Sequence, residues 1–178
     1  MIRLTLISLD KNIALIGFMG VGKSTIGCSL AKSLGIGFKD TDKQIEKETN
    51  MDIANIFKMK GEQWFRDIES IVLTNLISDG PYIIATGGGI VERSINRQIL
   101  KNQTITVSLL ATAETICQRV ILDNNRPLLN TENKLQEIER LLNLRLKYYY
   151  ESDILVWTDT LTRNQVKDKI IDELKYLK

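Results

Sequence analysis

The stretch with the clearest chemical meaning is GFMGVGKST, which begins at Gly17 directly after a short apolar run. It satisfies the phosphate-loop pattern G-x-x-x-x-G-K-[ST], with Lys23 and Ser24 in the last two places. In such a loop the glycines let backbone N–H groups surround phosphate oxygens, and the helix that follows favours negative charge at its start. Lys23 is then placed to reach the β- and γ-phosphates, and the Ser24 hydroxyl to ligate Mg²⁺. The motif predicts binding of a nucleoside triphosphate.

Two carboxylates follow in KDTD, at the end of a weak strand pattern over residues 36–40. Asp40 and Asp42 are two positions apart, which on an extended chain places them on the same side. Ligands of open α/β sheets bind at the carboxyl ends of strands, so both acids are expected to face the phosphate site. One would order the water shell of Mg²⁺ while the other accepts a hydrogen bond from an acceptor hydroxyl. The alternative is that Asp42 caps the helix that follows.

Two further segments, GEQWFRDIE and ATGGGIV, are open to both a chemical and a structural interpretation. In the first, Arg66 and Glu69 have the spacing of an ordinary surface pair on a helix. In the second, three glycines at residues 87–89 follow a predicted strand. Glycines at such a place indicate backbone that closely approaches another group. The alternative is a flexible turn before the next helix.

Short apolar runs alternate with longer amphipathic stretches along the chain. The runs are typical of strands buried on both faces of a parallel sheet, and they cover residues 13–17, 82–86, 105–110 and 154–157. Helical periodicity covers residues 24–34, 62–77, 135–149 and 164–177. This alternation predicts one doubly wound α/β domain over residues 1–178. The polar segment 123–133, which contains Pro127, is predicted to be a mobile loop.

Composition excludes several classes of function. The chain of 178 residues contains no histidine, which excludes histidine general bases, Ser-His-Asp catalysis, His-ligated zinc and haem on a proximal His. Its two cysteines, Cys28 and Cys117, are too few for a disulfide framework and are expected to be buried, in a reducing compartment. A net charge of +2 without runs of like charge does not favour nucleic acid. The apolar stretches are too short to span a bilayer, and residues 1–11 lack the features of a signal peptide.

The motifs taken together resemble the shikimate kinase family. GFMGVGKST, DTD, GEQWFR, TGGG and NRPLL occur in that order, from about residue 13 to about residue 163. The resemblance implies a three-layer α/β/α fold of the P-loop type, with a five-stranded parallel sheet and a mobile lid at 123–133. It implies transfer of the γ-phosphoryl group of ATP to the 3-hydroxyl of shikimate, with Mg²⁺, in chorismate biosynthesis. A cytoplasmic monomer without nucleic-acid or membrane partners is expected.

The resemblance also implies a role for individual residues. Asp42 would bind the shikimate hydroxyls, and Asp40 would lie near the water shell of the Mg²⁺ held by Ser24. The shikimate carboxylate would be held by Arg66 and Arg145, whose planar guanidinium groups suit a carboxylate, with a backbone contact from Gly88. The residues expected to bind ATP are Gly20, Val21, Gly22, Lys23, Ser24, Thr25, Arg119, Arg126 and Arg163. Those expected to act in catalysis are Lys23, Asp42 and the lid arginine, Arg126.

Several of these positions also have a structural interpretation. Arg145 lies in an apolar helical pattern and would then extend its guanidinium to solvent. Arg119 and Arg163 would be ordinary surface charges. Arg163 is followed by Asn-Gln where family members often have a proline. The tyrosines at 148–150 are assigned to packing and surface cover, with no chemistry.

Two other functions fit parts of the pattern. A small kinase acting on gluconate or a nucleotide would share the phosphate loop, but gluconate kinases typically carry His-Pro after the second strand and this chain has no histidine. A binding module that has lost turnover would lack part of the machinery. Here the machinery is complete, because Lys23, Ser24, Asp42, Arg66 and Arg126 are all present.

Overall fold

A parallel β-sheet forms the centre of the computed structural model, which describes residues 10–120 and 133–177. Its strands within those residues are β1 (Asn12–Ile16), β2 (Gly37–Asp40), β3 (Tyr82–Ala85), β4 (Thr104–Leu110) and β5 (Ile154–Trp157). They lie in the order β2-β3-β1-β4-β5, and every neighbouring pair is parallel. The central strand β1 pairs Leu15 with Ala85 on one side and with Val107 on the other. The predicted three-layer α/β fold with a five-stranded parallel sheet is confirmed.

Burial of the strands follows their position in the sheet. All five residues of β1 are buried, as expected for an apolar strand with neighbours on both sides. The prediction of burial on both faces is wrong for β5. It lies at the sheet edge and buries only alternate residues, leaving Leu155 37% and Trp157 45% exposed.

Seven α-helices connect the strands within the described residues. They are α1 (Lys23–Leu34), α2 (Thr41–Thr49), α3 (Ile53–Ser78), α4 (Ser94–Gln103), α5 (Ala113–Val120), α6 (Lys134–Tyr149) and α7 (Arg163–Leu174), with a 3₁₀ turn at Ile90–Glu92. The four predicted helices correspond to α1, the second part of α3, α6 and α7. Helices α2, α4 and α5 contain only 9, 10 and 8 residues, too few turns to establish a periodic pattern.

Helix α3 contains a break at Gly61, and the part of the helix that carries Arg66 and Glu69 begins after it. Gly61 has φ 84° and ψ 168°, a conformation that glycine adopts without a Cβ clash. The predicted helix at 62–77 starts directly after this break and ends one residue before α3 does.

The cysteine prediction is only partly correct. Both cysteines are free, but Cys28 is exposed on α1, and Cys117 on α5 is only half-buried at the edge of the hydrophobic core. Among the described residues, no helix has the length and apolar character needed to cross a membrane. Most of the predicted lid segment lies outside the described residues; of it, only Asn133 is described, as the N-cap of α6.

Candidate active site

The carboxyl ends of the parallel strands meet at one edge of the sheet, and the predicted site residues follow these ends. The phosphate loop follows β1, Asp40 ends β2, and the three glycines at 87–89 (the triple-glycine turn) come shortly after β3. Thr158 follows β5 and is buried. This edge is where ligands bind in open α/β sheets, so the topology collects segments that are far apart in the sequence.

The phosphate loop has the geometry that its sequence predicts. Gly20 and Gly22 have φ values of 80° and 99°, which side chains other than glycine rarely adopt. Gly22 is the N-cap of α1, and Lys23 is its first residue. Lys23 is 8% exposed, and its ammonium donates hydrogen bonds to the carbonyl oxygens of Gly17 at 2.8 Å and Phe18 at 2.9 Å. The lysine ammonium therefore lies against the loop that is expected to hold the phosphates of the nucleotide.

A cavity of about 690 Å³ lies in front of this loop, and we call it the phosphate-loop cavity. The Arg119 guanidinium donates to the Thr158 hydroxyl at 2.9 Å and to its carbonyl oxygen at 2.8 Å, so it is held in place at the wall. The predicted ATP-binding residues that line the cavity are Gly20, Val21, Gly22, Lys23, Ser24, Thr25, Arg119 and Arg163. The remaining one, Arg126, lies outside the described residues.

A second cavity of about 430 Å³, which we call the Arg66 cavity, adjoins the first. Its wall includes Arg66, Glu69 and the triple-glycine turn. The two cavities share a boundary formed by Met19, Ser24, Asp40, Asp42 and Gly88. A phosphate in the first cavity and a hydroxyl in the second would therefore meet at this boundary.

The two aspartates at this boundary have different roles. Asp40 is the N-cap of α2, since its Oδ1 accepts from the backbone N–H groups of Asp42 at 3.0 Å and Lys43 at 3.2 Å. Its Oδ2 accepts from the Ser24 hydroxyl at 2.6 Å. The alternative in which Asp42 caps the helix is wrong, because Asp42 lies within the first turn and lines both cavities.

The fit of Mg²⁺ can be judged from the donors present. Ser24 and Asp40 offer a hydroxyl and a carboxylate that are already in contact at 2.6 Å. Among the described residues, no group of three or more acidic, cysteine or histidine side chains forms a metal cage. Mg²⁺ usually keeps several waters and binds through one or two protein oxygens together with substrate phosphates. The donor pair fits that mode of binding.

Arg66 is buried and surrounded by carboxylates. It is 6% exposed, and its guanidinium contacts Glu62 at 2.9 Å, Glu69 at 3.2 Å and Glu92 at 3.3 Å. The alternative of a surface pair is therefore wrong. Its Nε is buried without a hydrogen-bond partner. A buried, unpartnered donor is costly, and here it lies on a side chain that lines a cavity.

Arg145 is also buried, at 1% exposure, so the alternative in which it extends to solvent is wrong. Its Nε donates to Glu92 Oε1 at 2.7 Å, its Nη2 contacts the same carboxylate, and its Nη1 has no hydrogen-bond partner. Arg145 lines neither cavity but is joined to Arg66 through Glu92, which contacts both guanidinium groups. The structure thus brings the two predicted arginines together across one carboxylate.

The triple-glycine turn explains how these groups approach one another. A Cβ on Gly87 would lie 2.5 Å from Glu69 Oε1 and 2.8 Å from Asp42 Oδ1. On Gly88 it would lie 3.0 Å from the Met19 backbone nitrogen, and on Gly89 it would lie 2.4 Å from Arg66 Nη1. This packing contradicts the alternative of a loose turn. Each glycine leaves room for a different part of the site.

Three functional candidates were not found from the sequence. Glu69 is identified there only as a surface partner of Arg66, and Glu92 has no local signal because its partner Arg145 is 53 positions away. Tyr149 is assigned to packing, yet its hydroxyl donates to the Gly88 carbonyl oxygen at 2.7 Å. Burial raises the pKa of Tyr149, so this donor stays protonated.

The comparisons with known proteins agree with this geometry. The chain matches the family model described as Shikimate kinase over residues 19–175. A shikimate kinase from Thermodesulfovibrio yellowstonii is 42% identical over 167 residues, which cover 94% of this chain and 96% of that protein. One from Thioalkalivibrio sulfidiphilus is 43% identical, covering 92% and 85%. The structure of a shikimate kinase from Acinetobacter baumannii in complex with shikimate has a TM-score of 0.91 at 38% identity, covering 94% and 96%.

Glu69 should make stability depend on pH. Its pKa is raised from the ordinary 4.5 to about 7, mainly by burial; the Arg66 charge opposes the shift and the Asp42 charge adds to it. Because the folded pKa is the higher one, the contribution is complete below about pH 4.5 and is lost as pH rises through 7. The loss is at most about 3 kcal/mol. Urea unfolding between pH 5 and 8.5 should show this decline in the wild type, and Glu69→Gln should lack it.

The matched control is Glu139→Gln on the exposed surface of α6, which should keep the wild-type dependence on pH. An identical pH dependence in Glu69→Gln and the wild type would show that Glu69 is ionised across the whole range.

Gly88→Ala should weaken nucleotide binding about tenfold, because the added methyl group presses on the backbone of the phosphate loop. Gly89→Ala is the matched control, since its methyl group meets the Arg66 guanidinium instead. Titration calorimetry with ADP should separate the two variants. Equal ADP affinities in both would contradict the proposed contact between the turn and the loop.

Proposed function

Because this chain belongs to the shikimate kinase family, we propose that it transfers the γ-phosphoryl group of ATP to the 3-hydroxyl of shikimate. The family assignment confirms the sequence-based prediction of a shikimate kinase and excludes the alternative of a gluconate or nucleotide kinase. The observation that carries the proposal is the shared boundary of the two cavities, at Ser24, Asp40, Asp42 and Gly88. ATP in one cavity and shikimate in the other would place the reacting groups at this boundary.

On the nucleotide side, the phosphates would lie on the phosphate loop at the start of α1. Lys23 would exchange its bonds to the loop carbonyls for the β- and γ-phosphates. Ser24 and Asp40 would hold Mg²⁺, Ser24 directly and Asp40 through water; when bound, the ion neutralises charge on the phosphates. Arg119 and Arg163 line the same cavity, and we expect them to lie beside the adenosine.

On the acceptor side, Arg66 and Arg145 would hold the shikimate carboxylate. Their buried, unpartnered donors, Arg66 Nε and Arg145 Nη1, show that the protein alone does not saturate this pair. Charge-assisted hydrogen bonds to a carboxylate are about twice as strong as neutral ones. The Gly88 backbone would contact the ring substituents, with its carbonyl oxygen fixed by Tyr149.

Asp42 is the residue that we assign to the reacting hydroxyl. Both aspartates line both cavities, but the Asp40 carboxylate is the N-cap of α2 and already accepts hydrogen bonds from Ser24 and from two backbone N–H groups. Asp42 would accept the hydrogen bond of the 3-hydroxyl and take its proton as the oxygen bonds to the γ-phosphorus and ADP leaves. Most of the rate enhancement would come from positioning and from the cations around the phosphoryl group. The lid role of Arg126 stays a prediction.

We also propose that the protein acts as a cytoplasmic monomer. Free cysteines are typical of a reducing compartment, and both Cys28 and Cys117 are free.

A coupled assay of ADP release, with ATP and Mg²⁺, tests the function directly. ADP release should depend on shikimate and should be absent with gluconate or nucleoside monophosphates. Release with another acceptor, or none from protein that binds ADP, would contradict the assigned acceptor. The second outcome would also revive the alternative of a binding module without turnover.

Arg66→Lys should raise the KM for shikimate at least about tenfold, because an ammonium keeps the charge but loses the planar pair of donors. The KM for ATP should change less than about twofold, since Arg66 lines only the Arg66 cavity. Steady-state kinetics with each substrate varied would measure both constants. Arg93→Lys is the control, because Arg93 pairs with the exposed Asp67 outside both cavities. Equal increases in both KM values would contradict a carboxylate-binding role.

A further inference from the structure

The position of Glu92 is unusual for a residue beside a site that binds an acid. It is the last residue of the 3₁₀ turn that follows the triple-glycine turn, and its side chain is 35% exposed. Its Oε1 accepts from Arg145 Nε at 2.7 Å, and its Oε2 lies 3.3 Å from Arg66 Nη2. One carboxylate of the protein therefore bridges both arginines that are proposed to bind the carboxylate of the substrate.

The glutamates around the two arginines leave little electrostatic attraction for the carboxylate of a substrate. Arg66 contacts Glu62, Glu69 and Glu92, and Arg145 contacts Glu92. With all three glutamates ionised, the cluster carries more negative than positive charge. An incoming carboxylate would then meet repulsion at short distance in a poorly hydrated place. One of the resident carboxylates has to leave or lose its charge for an acid to bind well.

Glu92 is the glutamate best placed to leave. Glu69 lines the Arg66 cavity but is 0% exposed and lies against Gly87, so it cannot turn to solvent without disturbing that packing. Within residues 10–120 and 133–177 Glu62 pairs with Arg66 and not with Arg145, so its departure would not release Arg145. The backbone of Glu92 is anchored, since its N–H donates to the Gly89 carbonyl oxygen at 2.9 Å and its carbonyl oxygen accepts from Arg97 at 2.9 Å. Its half-exposed side chain can therefore rotate toward solvent while the turn stays in place.

We propose that Glu92 occupies the carboxylate site in the substrate-free protein and is displaced by the acid substrate. The inference rests on the proposed function, in which Arg66 and Arg145 hold the shikimate carboxylate. Glu92 keeps two buried guanidinium groups paired when no substrate is present. It also sets the affinity for the acid, because binding replaces an existing ion pair instead of forming a new one.

Titration calorimetry of shikimate with the wild type, Glu92→Gln and Asp67→Asn tests this role. Glu92→Gln should bind shikimate roughly three- to tenfold more tightly, the size expected when a half-exposed ion pair no longer has to be broken. Its affinity for ADP should stay within about twofold, because Glu92 does not line the phosphate-loop cavity. Asp67→Asn removes a nearby negative charge that pairs only with Arg93 among the ion pairs described, and it should bind shikimate as the wild type does.

Unchanged or weaker shikimate binding in Glu92→Gln would overturn the inference, since it would mean that Glu92 does not compete or that it orients the arginines for the substrate. A wild type that binds ADP but not shikimate would instead overturn the proposed function. A crystal structure of the wild type with shikimate provides a second test that does not depend on a variant folding. The substrate carboxylate should replace Glu92 on at least one arginine, and a Glu92 still bridging both would contradict the proposal.

Discussion

The close approach of the triple-glycine turn to four neighbours is the constraint on which the rest of the site depends. Without side chains at 87–89, backbone contacts the phosphate loop on one side, and Asp42, Glu69 and Arg66 on the other. None of the three glycines has the positive φ that would require glycine for conformational reasons, so space alone explains them. The Tyr149 hydroxyl holds the middle carbonyl of the turn from behind. The turn therefore sets the distance between the nucleotide side and the acceptor side.

A second physical demand is the neutralisation of two buried guanidinium groups. A buried charge is tolerated only when it is paired and hydrogen-bonded. The protein meets this demand with glutamates of different exposure: Glu69 is fully buried, while Glu92 and Glu62 reach solvent. Burial raises the pKa of Glu69 to about 7, which lets the cluster vary its charge near neutral pH. The same arrangement pairs both arginines and leaves one donor of each, Arg66 Nε and Arg145 Nη1, without a hydrogen-bond partner.

Much of this site was accessible from the sequence because its signals are local. The phosphate loop, Asp40 and Asp42, Arg66 and the glycines lie in short contiguous motifs, and the buried strands are unbroken apolar runs. The sequence did not show which of these side chains cap a helix or are buried. Asp40 caps α2, and not Asp42, because Asp40 directly precedes the first turn of that helix. Arg145 is 1% exposed, although an arginine in an apolar helical pattern can also extend its guanidinium to solvent.

The sequence by itself determined the fold class, the nucleotide-binding loop and the family, because these depend on residue types at fixed short spacings. Only the tertiary structure decided which groups meet. Arg145 lies 53 positions from Glu92, and Tyr149 lies 61 positions from Gly88. Their contacts exist because parallel strands bring their carboxyl ends to one edge of the sheet and α6 packs against the turn that follows β3. No local pattern carries information about such pairs, since a side chain's partner depends on the path of the whole chain.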